Sequence, residues 1–396
     1  MSSEKKMLTG NYAAAYGGKL ARVKVIPVYP ITPQTTVMEK LIEFISTKEM
    51  EAEYIPVESE HSAMAAAIGA EATGIRTFTA SSSQGIAYMH ENLFVASGLR
   101  LPIVMATVNR CMNPPISIFP DHSDSLAQRD TGWLQLYVEN AQEILDMIIQ
   151  AYKIAEDKNV LLPVAICYEG LVISHFLEPV EVPHQGLVDE FLPQYNPDHV
   201  VLDPKRPMHL SVMVNEKYFM EYRYQQEEAM ERSKEVIQEV DQEFKKIFGR
   251  GYGGLLSTYM MEDAEIALIS MGSICGVTRM TVRELRKEGI KAGAIKLRAF
   301  RPFPKEALEN VSKNLDLIIV LDRAASTGYG GIIYSELAST LCNIDPKPYI
   351  LDYIVGLGGR YVTVSELLPV VRNSVSDYEK GQIKQSIQWV GVRGLQ

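Results

Sequence analysis

Glu58 and Glu60, in Val57-Glu-Ser-Glu-His-Ser-Ala63, follow directly on an apolar β-rich run, and so does Arg110, in Asn109-Arg-Cys-Met-Asn-Pro-Pro115. A carboxylate so placed can exchange a proton with a ring nitrogen. A guanidinium so placed can grip a carboxylate through two parallel hydrogen bonds. Two more segments share that position. In Tyr29-Pro-Ile-Thr-Pro-Gln-Thr-Thr36, Pro30 and Pro33 fix φ around Thr32 and aim its hydroxyl off a strand end. In Thr79-Ala-Ser-Ser-Ser-Gln-Gly85, small residues including Ser82, with Gln84 beside them, open a helix whose backbone N–H groups suit polar ligand atoms.

Each segment also has a plainer reading. Arg110 next to Asp121 and Asp124 would serve as a structural ion pair, and an acidic residue in a first helical turn suits the helix dipole. The serine run reads equally as a helix cap, and it lacks the lysine and spacing of a phosphate-binding loop. His122, between Asp121 and Asp124, has no second histidine at ligand spacing, so a satisfied loop histidine is expected there and no metal site. Cys111, Cys167, Cys275 and Cys342 are scattered and form no C-x-x-C pair. Reduced cysteines packed as small hydrophobes are expected, with no iron–sulfur cluster on this chain.

The elements that must position these residues follow from the apolar pattern. Continuous apolar runs at 23–29, 52–58, 76–81, 101–108 and 161–168 read as parallel strands buried on both faces. Helical stretches near 34–48, 60–74, 85–98 and 140–156 alternate with them, which predicts a doubly wound α/β sheet. In such sheets ligands sit beyond the carboxyl ends of the strands, where all four segments fall. The helix after Glu60, rich in Ala and Gly, permits close approach by another element.

Residues 176–213 are proline-rich and read as an extended arm, and 216–247 as a charged, solvated amphipathic helix. A second α/β unit follows, with strands at 265–272, 291–298, 315–323 and 348–356 and helices near 275–288, 305–313 and 330–342. The expected division is residues 1–250 and 251–396. The net charge of −10 disfavours nucleic acid or anionic lipid as a partner. No uncharged apolar run approaches the roughly 18 residues of a membrane span. Nor does the start contain a signal-peptide core, so a cytoplasmic protein without a membrane anchor is expected.

Taken together, Tyr29–Thr36, Glu58-Ser-Glu60, Thr79–Gly85, Asn109-Arg110, Asp121-His-Ser-Asp124 and Arg129-Asp-Thr-Gly-Trp133 resemble the alpha subunit of pyruvate:ferredoxin oxidoreductases. Arg298-Ala-Phe-Arg-Pro-Phe-Pro304, Leu321-Asp-Arg323 and Val355-Gly-Leu-Gly-Gly-Arg360 are similar to that subunit's second domain. The resemblance spans nearly the whole chain in order. It implies a thiamine-diphosphate pyrimidine-binding domain followed by a transketolase C-terminal-like domain. It further implies that Glu60 contacts the aminopyrimidine N1′, with Pro30, Ser82 and Gln84 near the cofactor. Thr32 would meet the 2-oxoacid, and Arg110 would bind its carboxylate.

The implied reaction turns pyruvate and coenzyme A into acetyl-CoA and CO2, with electrons leaving to ferredoxin. Gly-Asp-Gly, the family's diphosphate and Mg2+ motif, occurs nowhere in this sequence. A beta subunit carrying that motif is therefore implied, as are a gamma subunit and a ferredoxin-like delta subunit with the clusters. One arginine for one carboxylate favours pyruvate over a dicarboxylate. The alternatives are the same chemistry on branched-chain or aryl 2-oxoacids, or a non-catalytic α/β scaffold.

Overall fold

A computed structural model describes residues 3–199, 201–383 and 387–394. The chain begins with β1 (Glu4–Leu8), α1 (Gly10–Leu20), β2 (Val25–Val28), α2 (Thr35–Ser46), β3 (Glu53–Pro56), α3 (Glu60–Glu71) and β4 (Phe78–Ser81). Next come α4 (Ser83–Tyr88), α5 (His90–Gly98), β5 (Val104–Asn109), α6 (Ser123–Leu126), β6 (Leu134–Tyr137), α7 (Ala141–Ala155) and β7 (Val164–Glu169). Then follow β8 (Glu178–Val182), α8 (Gln185–Phe191) and the long α9 (Glu216–Phe248).

The C-terminal part comprises β9 (Leu256–Tyr259), β10 (Ile266–Ser270), α10 (Ile274–Lys287), β11 (Ala292–Leu297), β12 (Ala299–Arg301), α11 (Lys305–Ser312) and β13 (Leu317–Asp322). It ends with the short pair β14 (Ala325–Ser326) and β15 (Gly330–Gly331), α12 (Ile332–Thr340), β16 (Tyr349–Ile354), α13 (Val364–Glu379) and β17 (Gln388–Trp389).

One sheet has the order β12-β6-β7-β5-β4, and the β2–β3 pair extends it through a parallel bridge from Val25 to Thr77. The other has the order β17-β16-β13-β10-β11-β9. Both are parallel except for one antiparallel edge strand each, β12 and β9. The α/β expectation holds, with that refinement. β12 comes from beyond residue 250 yet pairs with β6, so the C-terminal part closes the edge of the first sheet. A shared core lies between the sheets, where Met64, Ile86 and Met105 meet Ile269, Ile295 and Phe300.

Several elements depart from the expectations. The proline-rich arm contains a strand, β8, paired antiparallel with β1, and a helix, α8. The helix expected over 85–98 breaks at Met89 into α4 and α5. α9 is not solvated along its length: Ala229, Met230, Val236, Ile237, Val240 and Phe244 are buried against the first core. Gly249, at φ 74°, turns the chain out of that helix in a conformation that L side chains rarely adopt. Three cysteines are buried, but Cys342 is exposed and does not pack as a core residue.

Candidate active site

Parallel strands place the chain segments after β2, β4 and β5 on one edge of the first sheet. Glu60 belongs to the same edge because α3 starts there. Ser59 is its N-cap, with extended backbone and a hydroxyl accepting the Ser62 N–H at 3.2 Å. Glu60 is thereby the first helical residue, and it is 8% exposed. Gly85, in α4, faces it. A methyl group there would lie 2.5 Å from both Glu60 Oε1 and Ser81 Oγ, so only hydrogen permits this approach.

The β2 loop is fixed from below. Asn11 of α1 donates to Pro33 O and to Thr36 Oγ1, both at 2.7 Å, and Gln34 donates to Tyr29 O at 2.7 Å. Pro33 and Gln34 are buried, whereas Pro30 and Thr32 are exposed at the rim. Arg110 reaches this loop: its Nη1 donates to Thr32 O at 3.1 Å and its Nε to Ser117 O at 2.9 Å. Among the described residues no carboxylate pairs with the Arg110 guanidinium, so the structural ion pair is not what forms. The nearby aspartates take other donors. Asp124 accepts the backbone N–H of Arg110 at 3.0 Å and that of Ser83 at 2.9 Å, and Asp121 accepts those of Ser123 and Gly358.

The loop after β4 is buried through Ser81, Ser82 and Ser83, with Ser83 in the left-handed region at φ 49°. Its polar atoms are notably under-used. Among the described residues, Ser81 Oγ, Ser82 Oγ and Gln84 Nε2 are buried without partners, as are Gln34 Oε1 after β2 and Asn109 Oδ1 at the end of β5. Buried polar groups are rarely left unpaired, and a concentration of them marks a place where a polar ligand completes the bonding. Glu60 Oε1 and Ser81 Oγ converge at Gly85, and a carboxylate, hydroxyls and an amide donor are the group types that an aminopyrimidine ring, with both donors and acceptors, would pair with.

A family model described as pyruvate flavodoxin/ferredoxin oxidoreductase, thiamine diphosphate-binding, matches residues 16–242. The model for pyruvate:ferredoxin oxidoreductase core domain II matches residues 264–367. The chain belongs to this oxidoreductase family. Among its relatives, pyruvate synthase subunit PorA of Methanocaldococcus jannaschii is 50% identical over 392 residues, covering 98% of both chains. Ketoisovalerate oxidoreductase subunit VorA of Pyrococcus horikoshii is 47% identical over 385 residues, covering 97% of both. A solved 2-oxoglutarate:ferredoxin oxidoreductase from Magnetococcus marinus superposes with a TM-score of 0.70 at 18% identity, covering 94% of this chain and 65% of that one. A split-gene transketolase superposes at 0.52 with 12% identity, covering 92% and 98%. Those two likenesses concern the fold.

In this member of the family the residues singled out in the sequence, Thr32, Glu60, Ser82, Gln84 and Arg110, fall on one sheet edge. Several that support them were missed. Asp124 is fully buried, and burial pushes its carboxyl up to about 6 against the hydrogen bonds it accepts. Asn109 donates to Asp124 Oδ1 at 2.7 Å and to Ser125 Oγ at 2.8 Å. His122 is buried, as a satisfied loop residue would be, with Nε2 3.0 Å from Glu169 Oε1; its Nδ1, however, has no partner among the described residues. The available signal was a polar residue, Asn109, ending an otherwise apolar strand. Among the described residues no helix is long and apolar enough to cross a membrane.

Proposed function

We propose that this chain supplies the substrate-carboxylate and cofactor-proton half of a composite site that converts pyruvate and coenzyme A to acetyl-CoA and CO2. The observation that carries this is the state of Arg110. Two of its guanidinium nitrogens are held by main-chain oxygens, no aspartate neutralises it, and Nη2 makes no hydrogen bond among the described residues. A guanidinium fixed in this way can receive a carboxylate without losing side-chain freedom. Thr32 stands beside it for the 2-oxo group, and Glu60 holds or releases a proton at the aminopyrimidine N1′. Pro30, Ser82 and Gln84 line the cofactor side. When bound, thiamine diphosphate supplies the carbon nucleophile and electron sink for loss of CO2.

The absence of Gly-Asp-Gly from the sequence supports a beta subunit that holds Mg2+ and the diphosphate. The scattered cysteines support iron–sulfur clusters on a ferredoxin-like delta subunit, with a gamma subunit completing the complex and ferredoxin as acceptor. The two sheets and the two family-model spans support a division into residues 1–250, the pyrimidine-binding unit, and 251–396, the transketolase C-terminal-like unit. We assign the complex to the cytoplasm.

One free guanidinium suits a monocarboxylate, and the relatives named for pyruvate and for ketoisovalerate both take one. A branched-chain 2-oxoacid is the second reading, favoured by the 47% identity to the VorA subunit. The test uses the complex copurified with its partner subunits. Arg110→Ala should raise KM for pyruvate strongly, and Glu60→Gln should abolish C2–H exchange of bound thiamine diphosphate. Unchanged pyruvate turnover in Arg110→Ala would remove the carboxylate assignment. A ratio of kcat/KM favouring 2-oxoisovalerate would select the second reading.

A further inference from the structure

We propose that Asp124 is the positioning residue for the substrate-binding arginine, its carboxylate fastening the strand end that carries Arg110 to the hydroxyl loop beside Glu60. The inference rests on the reading of Arg110 as the partner of the substrate carboxylate. Asp124 is 0% exposed, and every donor it meets is uncharged. Oδ2 accepts the main-chain N–H of Ser83 at 2.9 Å and of Arg110 at 3.0 Å. Oδ1 accepts Asn109 Nδ2 at 2.7 Å and its neighbour's N–H, that of Ser125, at 2.8 Å.

A buried carboxylate ordinarily needs a cation, and Arg110 stands on the adjoining strand end. Asp124 takes the arginine's backbone instead. That choice leaves the guanidinium free to turn outward onto Thr32 O and Ser117 O, with Nη2 unused among the described residues. The same oxygen that holds Arg110 also holds Ser83. Ser83 is a non-glycine residue at φ 49°, a conformation maintained only where the surroundings enforce it. Ser83 Oγ closes the loop by donating to Cys111 O at 2.7 Å. Two residues further on lies Gly85, against Glu60. One carboxylate oxygen thus sets the spacing between the substrate side and the cofactor side of the site.

The experiment uses the assembled complex with Asp124→Ala, Asp124→Asn and Arg110→Ala, each alone, and with the Asp124→Ala/Arg110→Ala double variant. Pyruvate KM and kcat are measured, with the dissociation constant of oxamate, an unreactive pyruvate isostere, by calorimetry. Asp124→Ala should raise both KM and the oxamate constant by about tenfold or more, with a smaller fall in kcat. Asp124→Asn should restore both to within about threefold of wild type. Its amide oxygen can accept the N–H groups of Ser83 and Arg110. Its NH2 replaces the oxygen that faces Asn109 Nδ2 and Ser125 N–H, so the Asn109 amide must turn over to present Oδ1 as acceptor, and only the Ser125 N–H loses its partner.

In the double variant, KM should equal that of Arg110→Ala alone, because positioning a residue that is gone has no effect. Additive KM increases would indicate a general structural role and overturn the proposal. So would an Asp124→Ala complex with unchanged KM and oxamate binding. Where Asp124→Ala does not assemble, Asp124→Ser removes less volume and should give the same rise in KM. If Arg110→Ala leaves KM unchanged, the reading of the arginine fails and the positioning role with it. If Arg110→Ala raises KM and Asp124→Ala does not, only the positioning role fails.

Discussion

Arg323 Nη1 and Glu169 Oε1 lie 3.2 Å apart, both side chains buried, and join the two sheets across the edge that carries the candidate active site. Glu169 ends β7, next to β5. Arg323 follows β13 of the other sheet. The pair is well supported. His122 Nε2 stands 3.0 Å from Glu169 Oε1, Ser273 N–H reaches both carboxylate oxygens, and Arg323 also donates to Pro120 O and Gly356 O. The C-terminal part adds main-chain bonds to the same stretch, with Arg323 O accepting from His122 N and Gly359 N donating to Pro120 O. The stretch so clasped runs directly into Asp124.

Removing the cation should therefore be costly. Arg323→Met leaves Glu169 buried without its guanidinium partner, and a loss of about 3–5 kcal/mol is expected in denaturant unfolding at pH 7. The pH dependence is also defined. Burial raises the Glu169 carboxyl, but the His122 contact and the Arg323 charge outweigh it and hold it at about 2. A depressed acid stabilises the fold fully above the carboxylate's unfolded value, and that stability is lost as pH falls toward 2. Acid unfolding should accordingly begin at a higher pH in Arg323→Met than in wild type. Coincident acid transitions would show that the pair does not support the clasp.

Gly85→Ala tests the close approach of α4 to Glu60. The added methyl would sit 2.5 Å from Glu60 Oε1 and Ser81 Oγ. The Glu60 carboxylate can swing aside, but Ser81 Oγ on its short buried side chain and Glu60 Cγ at 2.7 Å cannot move freely, so the clash outweighs the roughly 0.5–1 kcal/mol by which alanine favours a helix. The melting temperature should fall by a few degrees, leaving the protein folded under assay conditions. Displacing the carboxylate should still lower pyruvate turnover by about 100-fold. Loss of C2–H exchange on bound thiamine diphosphate would locate the fault at Glu60, and wild-type turnover would show that Glu60 tolerates the shift.

Much of the site was legible because a parallel sheet converts sequence order into place. Once 23–29, 76–81 and 101–108 read as parallel strands, Thr32, Ser82 and Arg110 had to share one edge. The rest was hidden for physical reasons. α1, Gly10–Leu20, is rich in Ala and Gly and carries no strong apolar stripe, and β6 is only Leu134–Tyr137. β12 joins the first sheet from the far side of α9, a pairing no local pattern encodes. Asp124 looked like an ion-pair partner for Arg110, since main-chain N–H acceptance leaves no mark on composition. Arg323 and Glu169 are 154 positions apart, so only the docking of the two sheets brings them together.

A second buried acid gives the opposite pH signature from Glu169. Glu71, at the end of α3, accepts the Thr77 N–H at 2.9 Å and the Thr77 hydroxyl at 2.6 Å through Oε2, while Oε1 has no partner among the described residues. Burial pushes its carboxyl up to about 8, more than the Thr77 bonds offset. Between the unfolded value and 8, the unfolded chain has lost a proton that the folded chain keeps. Stability from this residue therefore falls as pH rises through that window, by about 1.4 kcal/mol per unit, and is level above it. Glu71→Gln keeps an oxygen for Thr77 and never ionises. Its stability relative to wild type should climb steadily from pH 5 to pH 8 and then hold constant, measured as the difference between paired denaturant curves. A difference that does not vary with pH would mean that Glu71 is already ionised in the folded protein at neutral pH, with Arg76 nearby supplying the compensating charge.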